Sequence, residues 1–230
     1  MSTRTQILAM LGTALFASPA FGAPPEAAPT DPAQYVSAID NPWFPLKPGT
    51  ILIYKGTKDE KRADREFEVT AKTKLVGGVT CLIAEDRVNL GGKPAEKTIG
   101  YYAQDKDGNV WYFGEESQEL DKKGKVTKSE GWLAGVDGAT PSLQMEAHPQ
   151  AGDHYVHPYT NGNTEIMKLK ASVQVPYGSF KDALQIKDWN PDEADVLSHK
   201  FYLHGVGEIR DVEVKEQSED LMLVKVKTGD

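Results

Sequence analysis

Apolar and polar residues alternate along most of this chain. From Glu66 to Leu75, Phe67, Val69, Ala71 and Leu75 are apolar, while Glu66, Glu68, Thr70, Lys72 and Lys74 between them are polar. From Met167 to Val175 the same alternation sets Met167, Leu169, Ala171, Val173 and Val175 against Lys168, Lys170, Ser172 and Gln174. A period of two marks strands with one dry and one wet face, which is the pattern of antiparallel sheet. Turn signals such as Gly77-Gly78, Gly91-Gly92, Asp107-Gly108, Asn161-Gly162 and Tyr177-Gly178 punctuate these runs. They recur roughly every eight to twelve residues, as in an all-β sandwich or barrel. Beyond the N-terminal segment no apolar stripe has the 3.6-residue period of a helix, although a short helical turn is expected around 33–39.

The pattern occurs twice. Gly49 to Tyr54 is matched by Gly152 to His157, Phe67 to Val88 by Met167 to Trp189, and Tyr101-Tyr102 with Gly108 by Phe201-Tyr202 with Gly207. The offset is about 100 residues each time, as for a duplicated structural unit. Each unit reads as a β-meander. The first has strands at 51–55, 66–76, 79–88, 97–104, 109–115 and 125–131. The second has them at 153–159, 165–175, 180–190, 197–204, 208–214 and 220–227. The expected fold is all-β and antiparallel, two duplicated meanders forming a barrel-like or sandwich arrangement. Closure removes exposed strand edges, which favours a continuous, strongly curved sheet. Tyr102 should then correspond to Tyr202, and Gly108 to Gly207.

The first 22 residues have another origin. Arg4 precedes an apolar run from Ile7 to Phe16, and small residues follow from Ala17 to Ala23. That order reads as a secretory signal peptide, too short to span a bilayer. Residues 23–34 are Pro/Ala-rich and read as a flexible leader. The remainder divides into an N-terminal arm with the first β repeat at 35–131, a linker at 132–151 and the second repeat at 152–230. A periplasmic or extracellular protein without a stable membrane anchor is expected.

The formal net charge is −8, and loss of residues 1–22 removes one positive charge, Arg4, leaving −9. Such a chain repels phosphate backbones, so nucleic acid is not expected as a partner. Cys81 is the one cysteine. Within Val79-Thr80-Cys81-Leu82-Ile83 it reads as a packed thiol, with no intrachain disulfide available.

The segments Ile39-Asp40-Asn41-Pro42-Trp43-Phe44-Pro45-Leu46, Gly78-Val79-Thr80-Cys81, Tyr102 to Glu115, Ala134-Gly135-Val136-Asp137-Gly138-Ala139 and Val175 to Phe180 together resemble a family of uncharacterised secreted bacterial proteins. The resemblance covers most of the chain beyond residue 22. It implies an extracytoplasmic location and no particular activity. The chain departs from the pattern after Pro141, where Ser142-Leu143-Gln144-Met145 stands in place of a Gly-containing turn.

Candidate chemistry is sparse. Asp105, Asp107 and Asn109 have the spacing of a calcium loop, but Asp107-Gly108 also suits a tight hairpin, and the helix that completes an EF-hand is missing. His148, His154, His157, His199 and His204 all lie in the second half and raise a metal-carrier reading. Within the pairs 154/157 and 199/204, strand geometry points the rings to opposite faces, so no metal site is assigned and no cofactor is expected. Arg87, Tyr102, His199 and Arg210 are the residues an extracellular lyase or hydrolase would use. The leading expectation is a non-enzymatic protein that binds a small apolar molecule, a glycan or a partner protein. The arm and the linker break the repeat, and loops of this kind either plug a fold or carry its function. Trp43, Trp132, Asp137 and His148 are accordingly the candidate ligand-binding residues.

Overall fold

The computed structural model describes residues 25, 27–215 and 218–229. The signal peptide read over residues 1–22 lies outside them. The alternating segments are strands. In the first half these are β2 (Ile51–Lys58), β3 (Lys61–Val76), β4 (Val79–Leu90), β5 (Lys93–Asp105), β6 (Val110–Leu120) and β7 (Val126–Leu133). The second half supplies β9 (His154–Val156), β10 (Asn163–Val175), β11 (Gly178–Asn190), β12 (Glu193–Leu203), β13 (Gly207–Glu213) and β14 (Glu219–Lys227). Two short strands had no signal in the alternation: β1 (Tyr35–Val36) and β8 (Ser142–Met145). The turn expected near 33–39 is a 3-10 turn at Pro32–Gln34, where the Asp31 side chain accepts from the Ala33 N–H.

All described strand pairings are antiparallel and belong to one sheet, in the order β7-β6-β5-β4-β3-β2-β14-β13-β12-β11-β10-β9. The halves are joined by β2 and β14, with Gly56 opposite Leu221 and Tyr54 opposite Leu223. Gly56 has a steric role there. A Cβ on it would sit 1.8 Å from the Asp220 carbonyl oxygen, so only glycine lets the two strands approach.

The sheet is not closed into a barrel. β7 and β9 form its two edges, and no ladder pairs them. They nevertheless meet: Trp132 of β7 stacks on Tyr159, just beyond β9, with ring centroids 4.9 Å apart. The sheet thus curls until its edges touch through side chains. Tyr102 on β5 and Tyr202 on β12 each lie on the fourth strand of their half.

Inside the curl lies an apolar core that includes Leu52, Tyr54, Phe67, Tyr102, Ile166, Leu184, Ile186, Tyr202, Ile209, Leu221 and Leu223. Each such side chain contributes about 1.5–3 kcal/mol when fully buried. The N-terminal arm plugs this end with Ile39, Phe44 and Leu46. The Phe44 ring lies 5.6 Å from Tyr102 and 6.4 Å from Tyr202. Asn41 fixes the arm. Its Nδ2 donates to the carbonyls of Gly108 and Glu146, and its Oδ1 accepts from the Trp43 and Phe44 N–H groups. A second apolar cluster covers part of the outer face, where Cys81, Tyr101, Trp111 and Phe113 pack with Ala134, Leu143 and Tyr155. Cys81 is fully buried there, and burial pushes its thiol up to about 12. It is a packed, unreactive thiol, as the strand pattern suggested.

Candidate ligand-binding cavity

On the inner face, several strands change from apolar to charged at a common level. On β2, Leu52 and Tyr54 give way to Lys58; on β11, Leu184 and Ile186 give way to Asp188 and Asn190. On β12, Tyr202 is followed down the same face by Lys200 and Ser198; on β13, Ile209 is followed by Asp211 and Glu213; on β14, Leu221 by Glu219. Side chains two apart share a face, so the core ends and a polar chamber begins within one strand repeat. That chamber is a cavity of about 590 Å³. Its charged wall is made by Lys58, Glu115, Asp188, Lys200, Asp211, Glu213 and Glu219, with Tyr112, Trp132, Gln144 and Ser198 beside them.

Strand register organises a hydrogen-bonded row across the second half. Thr164 lies opposite Asp188, and Lys200 opposite Asp211. The Thr164 hydroxyl donates to Asp188 Oδ1 at 2.6 Å, and His157 Nε2 lies 2.9 Å from that hydroxyl. Because Thr164 spends its proton on Asp188, it accepts from His157, which sets the imidazole as the Nε2–H tautomer. Burial lowers the His157 pKa against the pull of Asp188, keeping the ring neutral. Lys200 Nζ lies 2.9 Å from Asp188 and 3.9 Å from Asp211. Burial opposes its charge, but the two carboxylates outweigh that and hold its pKa well above the usual lysine value. Asp211 moves the other way. Burial, opposed by Lys200 and reinforced by Glu208 and Glu219, pushes it up to about 7. On the adjoining strands Lys58 bridges Glu96 and Glu219 at 3.2 and 3.4 Å.

An aromatic array leads from the core to this chamber. Tyr102 stacks on Tyr112 at 4.8 Å, Tyr112 meets Trp132 edge-on at 5.7 Å, and Trp132 stacks on Tyr159. Gly114 allows β7 to sit close enough for this, since a Cβ there would lie 2.2 Å from the Trp132 carbonyl oxygen. The Tyr112 hydroxyl donates to Glu115 at 2.8 Å. The Trp132 Nε1–H is buried without an acceptor.

Of the four residues the sequence singled out, Trp132 is in the cavity wall. Trp43 packs edge-on against His204 at 5.4 Å, at the plugged end. Asp137 occupies an exposed turn with φ of 50°, and His148 is exposed between β8 and β9. The residues that dominate the chamber, Lys58, Asp188, Lys200, Asp211, Glu213 and Glu219, were not singled out. Their signal lay in the spacing Ile186-x-Asp188-x-Asn190 and Ile209-x-Asp211-x-Glu213, where an apolar inner face turns polar without changing period.

The residues of the enzymatic reading do not converge. Arg87 pairs with Glu68 and Glu85, Arg210 forms a bidentate pair with Asp220, and His199 lies beside Gln185. These three occupy the outer face, whereas Tyr102 is inside, so the sheet itself separates them. Among the described residues no three His, Cys, Asp or Glu side chains are grouped to hold a metal ion. The Asp105 carboxylate is taken up by the Asn109 N–H, the Asn109 side chain and the Trp111 indole, making a hairpin brace of the calcium-like segment.

Fold and cavity define a class: an antiparallel β protein that encloses a polar chamber in one curled, open sheet. No protein-family model and no curated protein matches the chain. Two solved structures are similar to it. One is a "putative exported protein with YmcC-like fold" from Bacteroides fragilis, 12% identical over 81% of this chain and 99% of that one, with a TM-score of 0.45. The other is a "putative lipoprotein" from Parabacteroides distasonis, 12% identical over 80% of this chain and 98% of that one, with a TM-score of 0.43. Neither similarity assigns an activity. No helix among the described residues is long and apolar enough to cross a membrane.

Proposed function

We propose that this is an extracytoplasmic binding protein whose chamber takes a hydroxyl-rich ligand, such as a glycan segment. The location rests on the charged, apolar and small-residue regions of residues 1–22. The ligand class rests on one observation: the chamber is walled by carboxylates, lysines, an amide and hydroxyls beside the Tyr112–Trp132 pair. An apolar ligand would strip water from those polar groups and offer them no hydrogen bond in return, at about 1–3 kcal/mol for each one left unsatisfied. A sugar offers hydroxyls to the polar wall and C–H faces to the aromatic one. This disfavours the small apolar molecule also considered from the sequence.

Melting of the protein from residue 23 onward, in the presence of oligosaccharides and of fatty acids, tests the reading. Oligosaccharides should raise the melting temperature by mass action. Gln144→Ala combined with Ser198→Ala should reduce that shift without moving the melting temperature of the free protein. A shift with fatty acids alone would overturn the proposal.

A further inference from the structure

Resting on that reading of the chamber, we propose that its ligand is cationic: an aminated sugar whose ammonium group faces the carboxylates of the wall. Among the described residues the wall holds five acidic side chains, Glu115, Asp188, Asp211, Glu213 and Glu219, against two lysines; with Asp211 keeping its proton below about pH 7, four carboxylates still face the two lysines. Both lysines are already shared. Lys58 lies between Glu96 and Glu219, and Lys200 between Asp188 and Asp211. Glu115 and Glu213 accept hydrogen bonds from the hydroxyls of Tyr112 and Ser218.

A concave wall with an excess of one charge focuses its potential into the space it encloses, because the low-dielectric protein around it screens little. An anionic ligand is repelled there, and a neutral one leaves the excess uncompensated. An ammonium group compensates it. The neighbouring Tyr112 and Trp132 rings suit the same group, since a cation is attracted to an aromatic face. An aminated sugar combines that ammonium with hydroxyls for the polar wall on one small framework.

The test is calorimetric titration of the protein from residue 23 onward with glucosamine tetrasaccharide and with its fully N-acetylated counterpart. At about pH 6 the amines are charged, and acetylation removes that charge. We expect the aminated sugar to bind at least about tenfold more tightly, with the preference shrinking as salt rises because the attraction is electrostatic. The double variant Glu115→Gln/Glu213→Gln, checked for folding by its circular dichroism, should lose most of the preference while still binding the acetylated sugar. Equal binding of both sugars by the parent protein overturns the cationic ligand and leaves the glycan site standing. Binding of neither overturns both.

Discussion

Trp132 and Tyr159 stack across the opening of the sheet, with centroids 4.9 Å apart and planes inclined by 18°. One ring comes from the edge of the first half and the other from the edge of the second. This pair stands where a closed barrel would have a hydrogen-bonded ladder. Tyr159 is 52% exposed, whereas Trp132 is 8% exposed. Tyr159→Ala should therefore cost little stability, about 0.5–1.5 kcal/mol for the lost ring pair. It should also uncover Trp132, shifting its emission to the red. Unchanged tryptophan emission would show that the pair does not seal the edges.

Lys200 is a half-buried cation, its side chain 28% exposed, held between two half-buried acids, Asp188 and Asp211. Lys200→Ala leaves Asp188 and Asp211 without their shared partner, and denaturant titration should show a loss of about 1.5–3 kcal/mol. Lys128→Ala removes an exposed lysine that pairs with Glu119 and Glu130 and should leave the denaturation midpoint where it is. Equal effects of the two substitutions would contradict the burial argument.

Acidity should act on stability through two carboxyls. Glu146 is 3% exposed, and burial, with the charge and hydrogen bond of Asp153 added, raises its pKa from 4.5 to about 8. Asp211 rises from 3.8 to about 7. In both, the folded state holds its proton more tightly than the unfolded chain does. Their contribution is complete below the unfolded values and is lost as pH climbs through the folded ones. Melting temperature should fall between roughly pH 5 and 8 on this account. Glu146→Gln should flatten that fall and raise stability at pH 8. A variant with the parent's slope would remove Glu146 as the cause.

Two backbone positions should respond in opposite directions. Gly56→Ala places a methyl group against the Asp220 carbonyl at the joint between the halves, and we expect a cost above about 3 kcal/mol or failure to fold. Glu60 sits at φ of 60° in the two-residue turn between β2 and β3, beside Asp59 at φ of 50°. That geometry favours glycine, so Glu60→Gly should stabilise by up to about 1 kcal/mol. Thermal melts of the two variants check both signs.

The strands were legible because their causes are local. A period of two and the turn residues placed β3, β4, β10 and β11 within a few residues of where they form, and Gly77-Gly78 marked its hairpin. Tyr102 and Tyr202 occupy the fourth strand of each half, on either side of Phe44. The short strands β1 and β8 escaped because two to four residues carry no readable period, and their partners on β5 and β6 are distant in sequence. The joint between β2 and β14 was hidden for the same reason. Gly56 looks like any strand glycine until Asp220 lies against it.

The chamber was the least legible part. Lys200, Asp188 and Asp211 alternate with apolar residues as wet-face positions do, and a period of two says only that a strand has two faces. It does not say that the face turned inward carries apolar side chains over one stretch and charges over the next. That outcome depends on how far the sheet curls and where the arm from Ile39 to Leu46 stops filling it. Both are settled by long-range packing. The sequence by itself determined an antiparallel β chain with a packed thiol at Cys81. Only the tertiary structure decided that its charged inner residues converge on one cavity, because burial is a property of the curled sheet and not of any strand within it.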